Sequence, residues 1–146
     1  MIARHDIVAE ARRWLGTKFQ HQGGTCGVAT DCVGLVVGVA YALGIADARP
    51  ESRAVAYNGY GKSPDPRLLL RACDEYLEPA DAPELGGVLL MRFGQWPQHF
   101  AIVSSSCPLR IIHAYAQARR VVENSCDALW MSRIVRAFRF RGVDCG

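Results

Sequence analysis

Near the N-terminus, apolar positions recur at helical spacing. Ile7, Ala11 and Trp14/Leu15 fall on one face, and Glu10, Arg12 and Arg13 fall elsewhere. Asp6 is placed to cap this helix and Gly16 to end it. A polar loop containing Gly23, Gly24 and Gly27 then runs from Thr17 to Thr30. The stretch from Asp31 to Gly44 is apolar nearly all round, which predicts a buried helix capped by Asp31 rather than a surface one. A buried strand is the alternative for its β-branched residues, although the run is long for a strand. Residues 45–66 carry Pro50, Gly59, Gly61, Pro64 and Pro66 and read as a long surface connection. Pro66 to Tyr76 predicts a helix with Leu69, Leu70 and Cys73 inward.

After Pro83 the period shortens. Gly87 to Phe93 predicts a strand, residues 94–98 a turn, His99 to Ser104 a second strand and Leu109 to Ala116 a third. Arg120 to Glu123 is a candidate fourth strand. A short helical turn over Asp127 to Arg133 and a last strand over Ile134 to Arg141 follow. Helices first and adjacent strands later indicate an α+β fold, with N-terminal helices packed on an antiparallel sheet. The length of 146 residues fits one domain spanning 1–146.

Half of the residues are hydrophobic, which supplies a core and argues against disorder. The net charge of +3 is mild. Arg133, Arg136, Arg139 and Arg141 form the densest basic stretch, read here as the solvated side of a strand rather than a surface for an anionic polymer. Neither nucleic acid nor a membrane is expected as a partner. The N-terminal residues show no basic-then-apolar leader, so the chain is expected to be made in the cytoplasm and carried outward by something else. The six cysteines lack close zinc-type pairs, and the expectation is six free thiols, most of them buried.

The chemistry concentrates at Cys32, His99 and His113. Cys32 falls in the first turn of the buried helix, where unpaired N–H groups and the helix dipole favour a thiolate. The Cys32 N–H is placed to stabilise an oxyanion, and Gly34 keeps the site uncrowded. His99 opens the second strand and shares a face with Ala101 and Val103, with room for a helix end. Histidine suits a base that must later return its proton to a leaving amine. If the third strand pairs with the second, His113 stands beside His99 as the group that orients the base.

These residues resemble the NlpC/P60 cysteine peptidases, which have a papain-like core. The likeness runs from Gly16 to about His113. It rests on Gly16-Thr17-Lys18-Phe19, Gly23-Gly24, Asp31-Cys32-Val33-Gly34-Leu35-Val36, His99-Phe100-Ala101-Ile102-Val103 and Ile112-His113-Ala114. His21-Gln22 before the glycines is similar to the phage and gene-transfer-agent branch, encoded among tail genes. The resemblance implies a cysteine peptidase that cuts amide bonds in peptidoglycan peptides, commonly next to γ-linked D-glutamate and diaminopimelate, with no metal or cofactor. It also implies delivery by tail proteins to the periplasm or cell wall. Three positions depart from the family pattern. Phe19 replaces a tyrosine and has no hydroxyl to donate, which leaves the oxyanion contact to the Cys32 N–H, with His21 either a second donor or an ordinary loop residue. Val33 replaces a serine. Gly86-Gly87 replaces Gly-Asp and removes an acidic wall.

Three rival readings use the same residues. Cys32, His99 and His113 form a zinc site in the first. The second is a non-catalytic tail or wall-binding module on the same fold. The third is an amidase at the sugar–peptide junction, or an acyl transferase, with the same thioester chemistry. Trp96, Tyr57, Tyr60 and Tyr115 are read as ordinary core or surface aromatics rather than cleft walls.

Overall fold

The computed structural model describes residues 2–21, 23–45, 77–94 and 96–143. The helix expected over Pro66–Tyr76 lies outside them. So do the connection expected from 45 to 66 (apart from Ile45), Tyr57, Tyr60, Cys73 and Cys145.

Helix α1 spans Arg4–Arg13 and begins three residues earlier than the pattern suggested. Asp6 is not its cap. It stands inside the first turn, where its carboxylate accepts the Ala3 N–H at 3.0 Å, so it still satisfies a donor that the helix cannot. Glu10, expected on the outer face, is buried and holds Arg13 at 3.2 Å. A neighbour supplying charge makes that burial tolerable. Leu15 is exposed, so Trp14 rather than Leu15 continues the inner face.

Helix α2 spans Cys32–Ala42 and is buried from Cys32 through Ala40, as an all-round apolar sequence requires. It touches α1 through Gly38, where an added Cβ would overlap the Trp14 indole. The loop expected between the helices folds into a small hairpin of β1 (Gly24–Thr25) and β2 (Ala29–Thr30).

The remaining strands are β3 (Leu77–Ala80), β4 (Val88–Phe93), β5 (Trp96–Ser106), β6 (Leu109–Tyr115), β7 (Arg120–Ser125) and β8 (Ile134–Phe140). They form one antiparallel sheet in the order β3-β8-β4-β5-β6-β7. Phe93 pairs with Trp96, so the first hairpin turns more tightly than expected. The short helix α3, Ala128–Met131, lies between β7 and β8, and Asp127 caps it by accepting the Trp130 N–H at 3.1 Å.

Alternation along the strands makes two cores. Val88, Leu90, Phe100, Ile102, Ile112, Ala114, Phe138 and Phe140 face α1 and α2. Leu89, Met91, Ala101, Val103 and Ile111 face the other way, with Cys126 and Trp130. Each fully buried side chain of this size stabilises the fold by about 1.5–3 kcal/mol before entropy is charged against it.

The basic stretch from Arg133 to Arg141, in and around β8, is only partly a solvated face. Arg139 donates to Glu84 at 2.9 Å. Arg133 lies between Phe93 and Trp130, 4.9 and 4.5 Å from their ring centroids. Of the four described cysteines, all free, Cys32 and Cys126 are buried while Cys26 and Cys107 are exposed. The expectation of mostly buried thiols therefore holds for half of them.

Candidate active site

Two hydrogen bonds fix the first turn of α2. The Asp31 carboxylate accepts the Gly34 N–H at 2.8 Å, and the Asp31 N–H donates to the Gly23 carbonyl at 3.2 Å. Asp31 thus caps the helix that carries the thiol. Gly34 does not keep space open for a substrate. An added Cβ there would overlap the Gly23 carbonyl and crowd Thr30 Oγ1, so this glycine lets the loop pack onto the helix. Phe19 is half-buried against the helix-covered core, and its N–H donates to the carbonyl of Arg119, the residue before β7, at 2.9 Å. His21 is half-buried in the turn that follows.

Cys32 begins α2 and is 4% exposed. The backbone N–H groups of Phe100, Val33 and Cys32 itself point at its sulfur. The first of these belongs to the peptide linking His99 to Phe100, so the thiol lies against β5 next to His99. These donors favour a thiolate, but burial disfavours it more, and the nearby Asp31 carboxylate works in the same direction as burial. The thiol is pushed up to about 12 from the ordinary 9.0. The resting form is therefore the neutral thiol, contrary to what the helix terminus alone suggests.

β5 and β6 pair with Ile102 opposite Ile112. Continuing that register makes His99 and His113 diagonal neighbours on one face. Their rings meet with His99 Nε2 2.7 Å from His113 Nδ1. The far nitrogen of His113, Nε2, lies 2.6 Å from Asn124 Oδ1 on β7. Beside His99 the β4–β5 ladder shifts register between Met91 and Arg92, an irregularity of the kind that re-aims a neighbouring side chain. Burial, with His113 and Arg133 adding to it, holds His99 well below the ordinary 6.5. Burial also lowers His113, partly offset by its bond to Asn124. Both imidazoles are neutral near pH 7.

Aromatic rings wall the pair. Trp130 is edge-on to His113 at 4.9 Å, Tyr115 stacks on His113 at 5.3 Å, and Phe93 stands 5.2 Å from His99. Tyr115 is therefore part of the histidine site and not an ordinary surface aromatic. Among the described residues, no group of three or more His, Cys, Asp or Glu side chains is arranged to hold a metal ion.

No protein-family model matches the chain, and no curated protein does. Solved structures do. The NlpC/p60 domain of the peptidoglycan hydrolase SagA is similar at TM-score 0.60 and 19% identity, covering 93% of this chain and 97% of that one. An N-acetylmuramoyl-L-alanine amidase from Bacteroides uniformis is similar at TM-score 0.64 and 10% identity, covering 94% and 98%. The chain has the NlpC/P60 fold. An NlpC/P60 family protein from Bacillus cereus is similar at TM-score 0.62 and 15% identity. There the match covers 94% of this chain and 40% of that one, so this chain spans well under half of its length.

Within the NlpC/P60 fold, the structure brings His99 and His113 into contact and sets Cys32 beside the His99–Phe100 peptide. It gives Asp31, Gly34 and Phe19 packing and capping roles. Three residues of the site carry no signal of their own in the sequence, and one of them, Phe93, closes on His99 from the end of β4. Trp130 sits on the short turn after β7, and Asn124 extends the histidine pair.

Proposed function

We propose that the chain belongs to the NlpC/P60 family and is a cysteine peptidase that hydrolyses amide bonds in bacterial cell-wall peptides. The observation that carries this reading is the hydrogen-bonded pair of His99 on β5 and His113 on β6, with the His99–Phe100 peptide of β5 in contact with the Cys32 thiol. The fold it shares with a peptidoglycan hydrolase supports the substrate class. In this reading Cys32 Sγ attacks the scissile carbonyl as His99 accepts its proton. The pair starts neutral, so proton transfer accompanies attack and no thiolate–imidazolium pair waits at rest. As the S–C bond forms, negative charge develops on the carbonyl oxygen, for which the Cys32 N–H at the start of α2 is the proposed donor. His99 returns the proton to the leaving amine, a thioester remains, and water releases it. The bond between γ-D-glutamate and diaminopimelate is the proposed target, and delivery by a phage-type tail particle to the periplasm belongs to the same proposal.

Mass spectrometry of peptidoglycan fragments treated with wild type and Cys32→Ala tests this. Peptides released by the wild type alone are expected, at masses that name the bond. Intact fragments bound by both proteins would replace the peptidase with a wall-binding module. The amidase likeness favours a second reading, cleavage at the sugar–peptide junction, which the same spectra would reveal as peptide-free glycan.

A further inference from the structure

Two neutral histidines in contact have two proton arrangements, and only one of them leaves a base. In the first, each ring carries its proton on Nε2. His99 Nε2–H donates to His113 Nδ1, and His99 Nδ1 keeps its lone pair. In the second, each ring carries its proton on Nδ1. His113 Nδ1–H then donates to His99 Nε2, and His99 Nδ1 has no lone pair to offer.

The choice is made one strand away. Asn124 Nδ2 donates to the Ser125 carbonyl at 3.0 Å, and Asn124 Oδ1 lies 2.6 Å from His113 Nε2. Turning the amide over would set Oδ1 against the Ser125 carbonyl oxygen, two acceptors with no hydrogen between them. The amide therefore presents an acceptor to His113, and that acceptor requires the hydrogen on His113 Nε2. His113 Nδ1 is left as an acceptor, and at 2.7 Å it requires the hydrogen on His99 Nε2. We infer that Asn124 is a positioning residue: anchored by the Ser125 carbonyl, it sets the tautomers of both histidines and leaves His99 Nδ1 free to take a proton. The register permits this contact. Ile111 pairs with Asn124 and His113 with Val122, so Asn124 is the diagonal neighbour of His113 on the same face. The inference deepens the hydrolase reading and rests on it only for the use made of the free Nδ1.

The test is two-bond proton–nitrogen correlation NMR on the whole protein with nitrogen-labelled histidine near pH 7. The wild type is expected to show the Nε2–H form at both His99 and His113. Asn124 is half-buried on an edge strand, so Asn124→Ala is expected to fold, with its unfolding midpoint as the check. In that variant the Nδ1–H form is expected to appear at both rings. Its kcat on wall peptides should fall about tenfold to a hundredfold with KM unchanged, within what general-base catalysis is worth. A wild type with His99 protonated on Nδ1, or an Asn124→Ala variant with unaltered tautomers, overturns the inference. The predicted tautomers in a protein that releases no wall peptide would support it while sinking the hydrolase reading.

Discussion

The two faces of the sheet are built from the same strands and differ in what they tolerate. The face under α1 and α2 is mostly apolar, with Glu123 at its β7 edge held by Arg12, and its largest side chains, Phe100 and Phe140, are sealed from solvent. The opposite face has a smaller apolar cluster, and at one end it gives way to His99, His113 and Asn124 walled by Phe93, Tyr115 and Trp130. The helix-covered face holds the fold together. The other spends burial on polar groups that must satisfy one another, because an unpaired one there costs more than its hydrogen bond returns. Cys32 packs with the first face, while the imidazoles stand on the second. The proposed chemistry is thus assembled across β5 at His99 and Phe100, with the rigid face holding the proposed nucleophile.

Adjacent residues on β5 give the sharpest way to break this contrast. His99→Ala is expected to remove turnover by about 10²–10⁴-fold, the usual worth of a general base. Its cost in stability should be limited to about 1–3 kcal/mol for leaving His113 Nδ1 unpaired. Phe100→Ala is expected to cost about 3–5 kcal/mol of stability, as large-to-small changes in cores do, while the molecules that stay folded keep turning over. Denaturant titration beside a peptide-release assay reads both. Equal losses of stability, or turnover surviving in His99→Ala, would mean the faces do not divide the work.

A smaller effect is expected at the thiol. At about 12 against an ordinary 9.0, Cys32 carries about a thousandfold less thiolate near neutral pH than an unperturbed cysteine. Iodoacetamide at pH 7.5, followed by peptide mapping, should mark the exposed Cys26 and Cys107 well before Cys32. Cys32 labelling first would show a preformed thiolate and place the nucleophile outside the sealed face.

The features legible in the sequence were those set by local pattern. α2 was readable because fourteen successive positions from Asp31 to Gly44 left no polar face, and only burial suits such a helix. The histidines were readable as a pair because both fall at alternating positions of strands a hairpin turn would join. Asn124 was not, since its contact depends on diagonal register between β6 and β7, which no single strand encodes. β3 is not legible in the pattern because Leu77-Glu78-Pro79-Ala80 is short and contains a proline. The sheet accepts it only at its edge, paired to β8. The thiol's charge state is not legible locally for a similar reason. The helix terminus is a local feature that favours the anion, while the burial that overrules it arises from the packing of α2 on the sheet.

The smallest predicted effect is a dependence of stability on pH that belongs to the second face alone. His99 and His113 both lie below the ordinary 6.5 when folded, chiefly through burial. On unfolding they regain their usual proton affinity. Between the folded values and 6.5 the unfolded chain therefore binds more protons, and stability rises with pH there. Stability should be level above about pH 7 and fall as pH drops below 6.5, by at most about 1.4 kcal/mol per pH unit for each histidine. Glu84 and Glu123, held below 4.5 chiefly by arginine partners and, for Glu123, against burial, add a loss in the same direction only at lower pH. Denaturant unfolding at pH 7.5, 6.5 and 5.5 reads the histidine window by itself, and His113→Gln should flatten it by removing one titrating group. A wild type equally stable at all three values would show that the imidazoles charge without cost, and the second face would then be as open to water as the first is sealed from it.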